Sequence, residues 1–187
     1  MALEIEKKYR LDETDAERIA AALEQFGAEY VGLDNEVNII YGGPALAQKG
    51  AVLRIRQTDE KALLTFKRRT GDAGDIKQQI EEETEISDAD AVKAMLAELG
   101  FSPVLVYEKH RRTWKFRSVE VVLDELPFGL YMEIEGSITA IKEAEMLIDA
   151  DLLETEHMTY PRLTAEHGVR AGDLIEARFN NKNSEEK

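Results

Sequence analysis

Charged side chains recur at every second position in several segments, a spacing that places them on one face of a β-strand. Near the start of the chain, Glu4, Glu6 and Lys8 share one face, and Leu3, Ile5 and Tyr9 share the other. The other candidate site residues at such alternating positions are Arg54, Arg56, Lys67, Glu83, Glu85, Lys109, Arg111, Asp124, Glu133 and Glu135. Arg and Lys together suit a polyanion such as an oligophosphate, whose oxygens accept charge-assisted hydrogen bonds. The carboxylates would repel that polyanion unless hard divalent cations lay between them, as Mg²⁺ does.

The alternating segments require strands to position them. Periodicity of two, bounded by turn-prone residues, predicts strands at 3–11, 51–58, 62–69, 76–86, 104–116, 119–126 and 130–136. If these strands close into an antiparallel barrel, the charged faces point into a wide, hydrated bore that holds a metal-bridged oligophosphate. The alternative is an open sheet whose charged face is simply solvated. We favour the bore because acids and bases are largely sorted by strand, whereas a solvated face usually mixes both signs with neutral polar residues.

Helix signals separate these strands. Thr14 with Glu17, and Ser87 with Asp90, have capping-box spacing and precede apolar residues at helical spacing. Weaker periodicity predicts a third helix over 138–153 and short helices around 162–166 and 173–178, whereas the Gly-containing stretches 42–50 and 69–75 are predicted loops. We expect the helices to cover the outside of the barrel, where a homodimer interface could also lie.

Composition excludes several classes of protein. The chain has 187 residues, 43% hydrophobic and 33% charged, which favours one globular domain, taken as 1–179, with a polar, flexible tail at 180–187. A formal net charge of -14 disfavours binding to nucleic acid or to an anionic membrane. The absence of cysteine excludes disulfides and thiolate metal sites, and without a signal-peptide pattern or an apolar run of membrane-spanning length we expect a cytoplasmic protein.

The same residues resemble the motif set of the CYTH superfamily, the triphosphate tunnel metalloenzymes. The motifs follow in order as ExExK at 4–8, LRIR at 53–56, LTxK at 64–67, ExE at 83–85, KxR at 109–111, VxLD at 121–124 and EIE at 133–135. The resemblance implies an α+β fold built on an eight-stranded antiparallel barrel. It places the eighth strand near 36–41, although this segment lacks the family's frequent Tyr-Phe-Asp, which leaves its contacts open.

The resemblance also implies residue roles. Metal ligands would be Glu4, Glu6, Glu133 and Glu135, with Asp124 as a further one, and the metal would be Mg²⁺ or Mn²⁺. Phosphate ligands would be Lys8, Arg54, Arg56, Lys67, Lys109 and Arg111. Glu4, Glu6, Lys8 and Lys67 are expected to act directly in catalysis, while Glu83 and Glu85 could ligate metal, orient bases or assist the nucleophile.

The expected function is metal-dependent cleavage of a small-molecule triphosphate. Residues around 95–101 look most like the class IV adenylate cyclase branch, yet cyclases and hydrolases share the same tunnel residues. We rank hydrolysis of tripolyphosphate, a nucleoside triphosphate or thiamine triphosphate above cyclisation of ATP to cyclic AMP. A non-catalytic module that binds polyphosphate or a nucleotide is the third hypothesis.

Overall fold

Eight antiparallel strands form a closed ring in the computed structural model, which describes residues 2–73 and 75–179. The ring strands are β1 (Ala2–Leu11), β2 (Glu29–Gly42), β3 (Ala51–Gln57), β4 (Ala62–Ala73), β5 (Ile76–Ile86), β6 (Ser102–Phe116), β7 (Val119–Leu126) and β8 (Gly129–Glu135). They are ordered β2-β3-β4-β5-β1-β8-β7-β6, and β6 pairs with β2 to close the ring. The predicted fold class, helices packed on an eight-stranded antiparallel barrel, is confirmed.

Five helices and a short hairpin complete the described chain. They are α1 (Glu13–Gln25), α2 (Pro44–Lys49), α3 (Ala89–Glu98), α4 (Ile138–Leu147), α5 (Tyr160–His167), β9 (Val169–Ala171) and β10 (Leu174–Ala177). None of the helices within the described ranges is long and apolar enough to cross a membrane. The tail predicted at 180–187 lies outside the described residues.

Two predicted helix starts were wrong by one or two residues. The side chain of Asp12, not Thr14, accepts the capping hydrogen bond of α1, from the backbone N–H of Asp15 at 2.7 Å. Asp88, not Ser87, likewise caps α3. Aspartate is an equally good capping acceptor. Two acceptors in succession therefore leave the start ambiguous in the sequence.

Other predictions failed where tertiary pairing overrode local sequence. The segment predicted as a helix at 173–178 is strand β10, which pairs in parallel with β6 at residues 105–107. Because β7 pairs with β6 only over 110–116, that edge of β6 is free to take another strand.

Two further helix limits differ from the prediction. The loop predicted at 42–50 contains α2, with Pro44 in its first turn and Gly50 in the left-handed conformation after its end (φ 58°). The third helix stops at Leu147 instead of 153.

Apolar residues pack on both the outside and one end of the ring. Outside, α1 and α4 cover the outward faces of β1, β6, β7 and β8, with Ile19, Leu23, Val121 and Ile134 fully or almost fully buried. A second apolar cluster, here called the apolar plug, combines inward-facing strand positions with the first turn of α5. It contains Ile40, Leu105, Tyr107, Leu126, Tyr131, Tyr160, Leu163 and Ala177. The plug leaves the charged stretch of the bore between it and the opposite end.

Candidate active site

The bore contains a cavity of about 560 Å³ with a strongly charged wall. The candidate residues that line it are Glu4, Glu6, Lys8, Arg54, Arg56, Lys67, Glu83, Lys109, Arg111, Glu133 and Glu135. They come from β1, β3, β4, β5, β6 and β8, and alternation along each strand points them inward while their neighbours pack outward. Two candidates do not line it: Asp124 is buried and accepts hydrogen bonds from Arg111 and Tyr160, and Glu85 is exposed on β5.

Arg111 is the centre of an ion-pair cluster, a name we use for Lys8, Glu36, Lys109, Arg111, Asp124 and Glu133. Its guanidinium donates two hydrogen bonds to Asp124, at 2.7 and 2.6 Å, and a third to Glu133 at 2.7 Å. Lys109 lies 3.3 Å from Glu36 and 3.4 Å from Asp124. Fork-like guanidinium pairing with a carboxylate is both strong and directional. This cluster therefore fixes the direction in which the Arg111 plane faces.

The pKa values of the ion-pair cluster reflect the close contact between its acids and its bases. Burial alone would raise the pKa of Glu36, but Lys109, Arg111 and Arg56 hold it well below its usual value. The pKa of Glu133 is lowered in the same way, against its burial, by Lys8, Arg111 and Lys109. Burial and the neighbouring Arg111 lower the pKa of Lys109 to about 8. The cationic neighbours of Glu36 and Glu133 thus favour the charged form of both side chains.

A second set of acids has fewer positive neighbours. We call Glu4, Glu6 and Glu135 the carboxylate group. Burial, followed by a hydrogen bond with Glu81, raises the pKa of Glu4 to about 7, although Lys67 lies only 2.8 Å away. Burial and the charge of Glu4 raise the pKa of Glu135 to about 7, and burial and Glu133 raise that of Glu6. These carboxylates carry more negative charge than the adjacent bases neutralise.

Two arginines of β3 leave donors free. The Arg54 guanidinium donates to Thr65 Oγ1 at 3.2 Å, and that hydroxyl donates to Glu83 at 2.7 Å. Within the described chain, Arg54 Nε and Arg56 Nε are buried without a hydrogen-bond partner, the Arg56 nitrogen being 3.7 Å from the Glu36 carboxylate. Buried donors of this kind are normally satisfied. Both arginines line the cavity, so an anion bound there that draws their guanidinium groups toward it would satisfy these donors.

Sequence reasoning missed four residues of the site. Glu36 and Glu81 share the inward rows of β2 and β5 with Asn38 and Glu83, so alternation could have found both. Lys77 continues the β5 row, with its ammonium 3.4 Å from the Met158 carbonyl oxygen and 3.8 Å from Glu6. Tyr160 is at the start of α5 and lines the cavity. No strand periodicity could have indicated it.

The donor chemistry fits a hard divalent cation. Among residues 2–73 and 75–179, no three Asp, Glu or His side chains are already arranged as a metal site. Mg²⁺, however, usually takes only one or two protein carboxylates and fills its shell with water and substrate oxygens. The carboxylate group offers such oxygens and has excess negative charge. A cation there would offset the burial and the neighbouring negative charge that raise the pKa values of Glu4 and Glu135.

Comparison with known proteins assigns the family. The sequence model of the CYTH domain matches residues 2–162. The chain belongs to the CYTH domain family. The resemblance in the motifs is thereby confirmed. CYTH proteins are typically enzymes that act on triphosphates, and they generally depend on divalent metals.

Three proteins of known sequence or structure are similar to this chain. A Methanocaldococcus jannaschii protein provisionally named an adenylate cyclase is 26% identical over 152 residues, covering 79% of this chain and 84% of its own. A solved Pyrococcus horikoshii structure has a TM-score of 0.75 at 25% identity, over 87% of this chain and 98% of that one. A Hippeastrum protein, provisionally named an adenylyl cyclase and described as having a dominant triphosphatase activity, has a TM-score of 0.68 at 20% identity, covering 89% and 96%. This last likeness shows the fold alone.

Proposed function

We propose that this CYTH protein is a divalent-metal-dependent triphosphatase that cleaves a triphosphate inside the bore. The observation that carries the proposal is the convergence of basic side chains from four strands on one cavity, where the buried Nε donors of Arg54 and Arg56 have no hydrogen-bond partner among the described residues. An oligophosphate has enough oxygens to satisfy several such donors at once, which a single carboxylate ligand cannot do. Family membership supports the same class of substrate.

The basic residues would divide the work of binding and charge stabilisation. Arg54, Arg56 and Lys67 come from adjacent strands β3 and β4, so they would grip neighbouring oxygens of the chain. Arg111 is held rigidly by Asp124 and Glu133, which suits it both to bind a phosphoryl oxygen of the substrate and to stabilise charge that develops on the transferring group. Lys8 lies 3.2 Å from Glu133 and faces the same cavity.

The carboxylate group would hold the metal. Glu4, Glu6 and Glu135 supply hard oxygens on β1 and β8, at positions where the sequence placed metal ligands. A bound Mg²⁺ or Mn²⁺ supplies Lewis-acid polarisation of phosphoryl oxygens and neutralises their charge. Glu133 and Asp124, also candidate ligands in the sequence, are engaged by Arg111. We propose that they orient the bases instead.

One assay tests the proposal. The purified protein is incubated with Mg²⁺ or Mn²⁺ and, separately, with tripolyphosphate, ATP and thiamine triphosphate, and the products are separated. We expect metal-dependent release of orthophosphate from at least one substrate. Tight metal-dependent binding of a triphosphate without any product over hours would refute catalysis and leave a binding module.

Adenylate cyclase activity is the second candidate, favoured by the name of the M. jannaschii relative. Cyclisation needs the ribose 3′-hydroxyl at the α-phosphorus, whereas hydrolysis needs water at the terminal phosphorus. In the same assay, cyclic AMP and pyrophosphate from ATP, with no orthophosphate from any substrate, would replace the triphosphatase proposal by the cyclase.

A further inference from the structure

Tyr160 belongs to α5 and not to a strand of the ring, yet it contacts two lysines and the aspartate of the ion-pair cluster. It is 6% exposed, and its hydroxyl donates a hydrogen bond to Asp124 Oδ2 at 2.6 Å. The ammonium of Lys8 lies 3.6 Å from the centre of its ring, and that of Lys109 lies 5.2 Å from it. A cation this close to an aromatic face is attracted by the ring quadrupole, most strongly when desolvated. One side chain thus contacts three charged residues of the site.

The segment before Tyr160, residues 154–159, is fixed along β1 and is here called the strap. The Arg10 N–H donates to the Glu154 carbonyl at 2.9 Å, and the Glu156 N–H donates to the Lys8 carbonyl at 2.8 Å. Its Met158 carbonyl accepts from the Lys8 ammonium at 3.3 Å. The strap therefore holds the Lys8 side chain from one side, while the Tyr160 ring holds it from another.

The Tyr160 hydroxyl also determines how Asp124 can face Arg111. Asp124 Oδ2 accepts from Arg111 at 2.6 Å and from Tyr160 at 2.6 Å, while Oδ1 accepts from the Nε of Arg111. With Oδ2 held on two sides, the carboxylate cannot rotate without breaking a hydrogen bond to a charged group. Such hydrogen bonds are among the stronger ones in proteins.

We propose that Tyr160 is a positioning residue for the phosphate ligands: its hydroxyl orients Arg111 through Asp124, and its ring fixes the Lys8 ammonium. This rests on the proposed function in that the positioned groups are the ones that would grip the triphosphate. Tyr160 lies on α5, so the C-terminal part of the chain completes a site that the strands otherwise build.

Two substitutions separate the hydroxyl from the ring. With Mg²⁺ and tripolyphosphate, Tyr160→Phe keeps the ring and should raise KM about tenfold, since one hydrogen bond to a charged group is lost. Tyr160→Leu loses the ring as well and should raise KM by a further factor of about three to ten. Tyr131→Phe is the matched control, a tyrosine of the apolar plug whose ring packs edge-on to Tyr160 at 5.7 Å, and its KM should stay within about twofold.

KM is the informative constant because it does not depend on how much of the variant is folded. A purely structural role would lower the apparent kcat through the folded fraction and leave KM unchanged. A wild-type KM in Tyr160→Leu, at any kcat, overturns the proposal.

A spectroscopic measurement keeps the proposal testable if the wild-type protein cleaves nothing. Ring currents should shift the Lys8 ε-methylene protons upfield, and the signal is assigned with Lys8→Arg. In Tyr160→Leu the shift should return to that of an ordinary lysine, and in Tyr160→Phe it should persist. If the wild-type protein is inactive but the Lys8 shift is present in it and is lost in Tyr160→Leu, the proposed function fails and the positioning stands. An unshifted Lys8 signal in the wild-type protein overturns the positioning, whatever the activity.

Discussion

The ion-pair cluster and the carboxylate group place the same type of side chain in one bore, yet the pKa values of their glutamates shift in opposite directions. Lys109, Arg111 and Lys8 hold the pKa values of Glu36 and Glu133 below the usual range against the effect of burial. Burial and neighbouring carboxylates raise those of Glu4 and Glu135 to about 7. The difference is the number of adjacent cations, because burial acts to raise the pKa in both sets.

This contrast suggests that the two sets of carboxylates have different roles. Carboxylates that already have cationic partners act as supports, since removing them would release an arginine or a lysine from its geometry. Carboxylates that have fewer such partners, as in the carboxylate group, have free capacity for a cation from solution. The four predictions that follow test this division, beginning with the largest effect.

Removing Arg111 should lower the stability of the folded protein more than any other change considered. Arg111→Ala leaves Asp124 and Glu133 buried without their main partner, and breaking a buried pair in this way costs about 3–5 kcal/mol. The free energy of unfolding, measured by urea denaturation, should fall by that amount. Arg112→Ala, on the outer face of the same strand, should cost under about 1 kcal/mol. Equal losses in the two variants would contradict the supporting role of the cluster.

Neutralising Glu6 should affect chemistry without unfolding the protein. Glu6→Gln removes a buried charge of raised pKa, so the free energy of unfolding in EDTA should hold or increase. Metal-dependent turnover of the preferred triphosphate should fall by about a hundredfold or more, since the metal stabilises the transition state by several kcal/mol. Glu125→Gln, exposed on the outer face of β7, serves as the control. Near-wild-type turnover in Glu6→Gln would refute the metal assignment.

Truncating Arg56 should mainly weaken binding. Its buried Nε has no hydrogen-bond partner within the described residues, so Arg56→Ala removes a donor that substrate would use. The loss of a charge-assisted hydrogen bond predicts a KM about tenfold higher, with kcat changed much less. Steady-state kinetics beside Arg68→Ala, an exposed arginine of β4, give the comparison. A fall in kcat with an unchanged KM would move Arg56 from binding to transition-state stabilisation.

The smallest effect concerns pH. Folding raises the pKa values of Glu4 and Glu135 from 4.5 to about 7, so their contribution to stability is complete below pH 4.5 and is lost as the pH rises through 7. In EDTA, Tm should therefore fall between pH 5 and pH 8. Mg²⁺ should flatten this slope by binding the ionised forms. A metal-free Tm that increases over this interval would show that the carboxylate group is not under repulsion.

Helix and loop assignments show where local sequence was insufficient. Strand limits for β5 and β7 agree with those predicted from the alternation. The 173–178 segment was mispredicted because the free edge of β6 determines its conformation. Glu36 was overlooked because the expected motif around it is altered, although its inward position obeys the same alternation as the other site residues.

The sequence by itself determined which side chains face inward, since alternation along a strand follows from backbone geometry. It also determined the kinds of charge in the bore, on which the proposed phosphate and metal chemistry is based. Tertiary structure alone decided which acid meets which base, because those pairings depend on register between strands distant in the chain. It also decided that a tyrosine from α5 completes the cluster, since no periodic pattern brings a helix terminus into a strand ring.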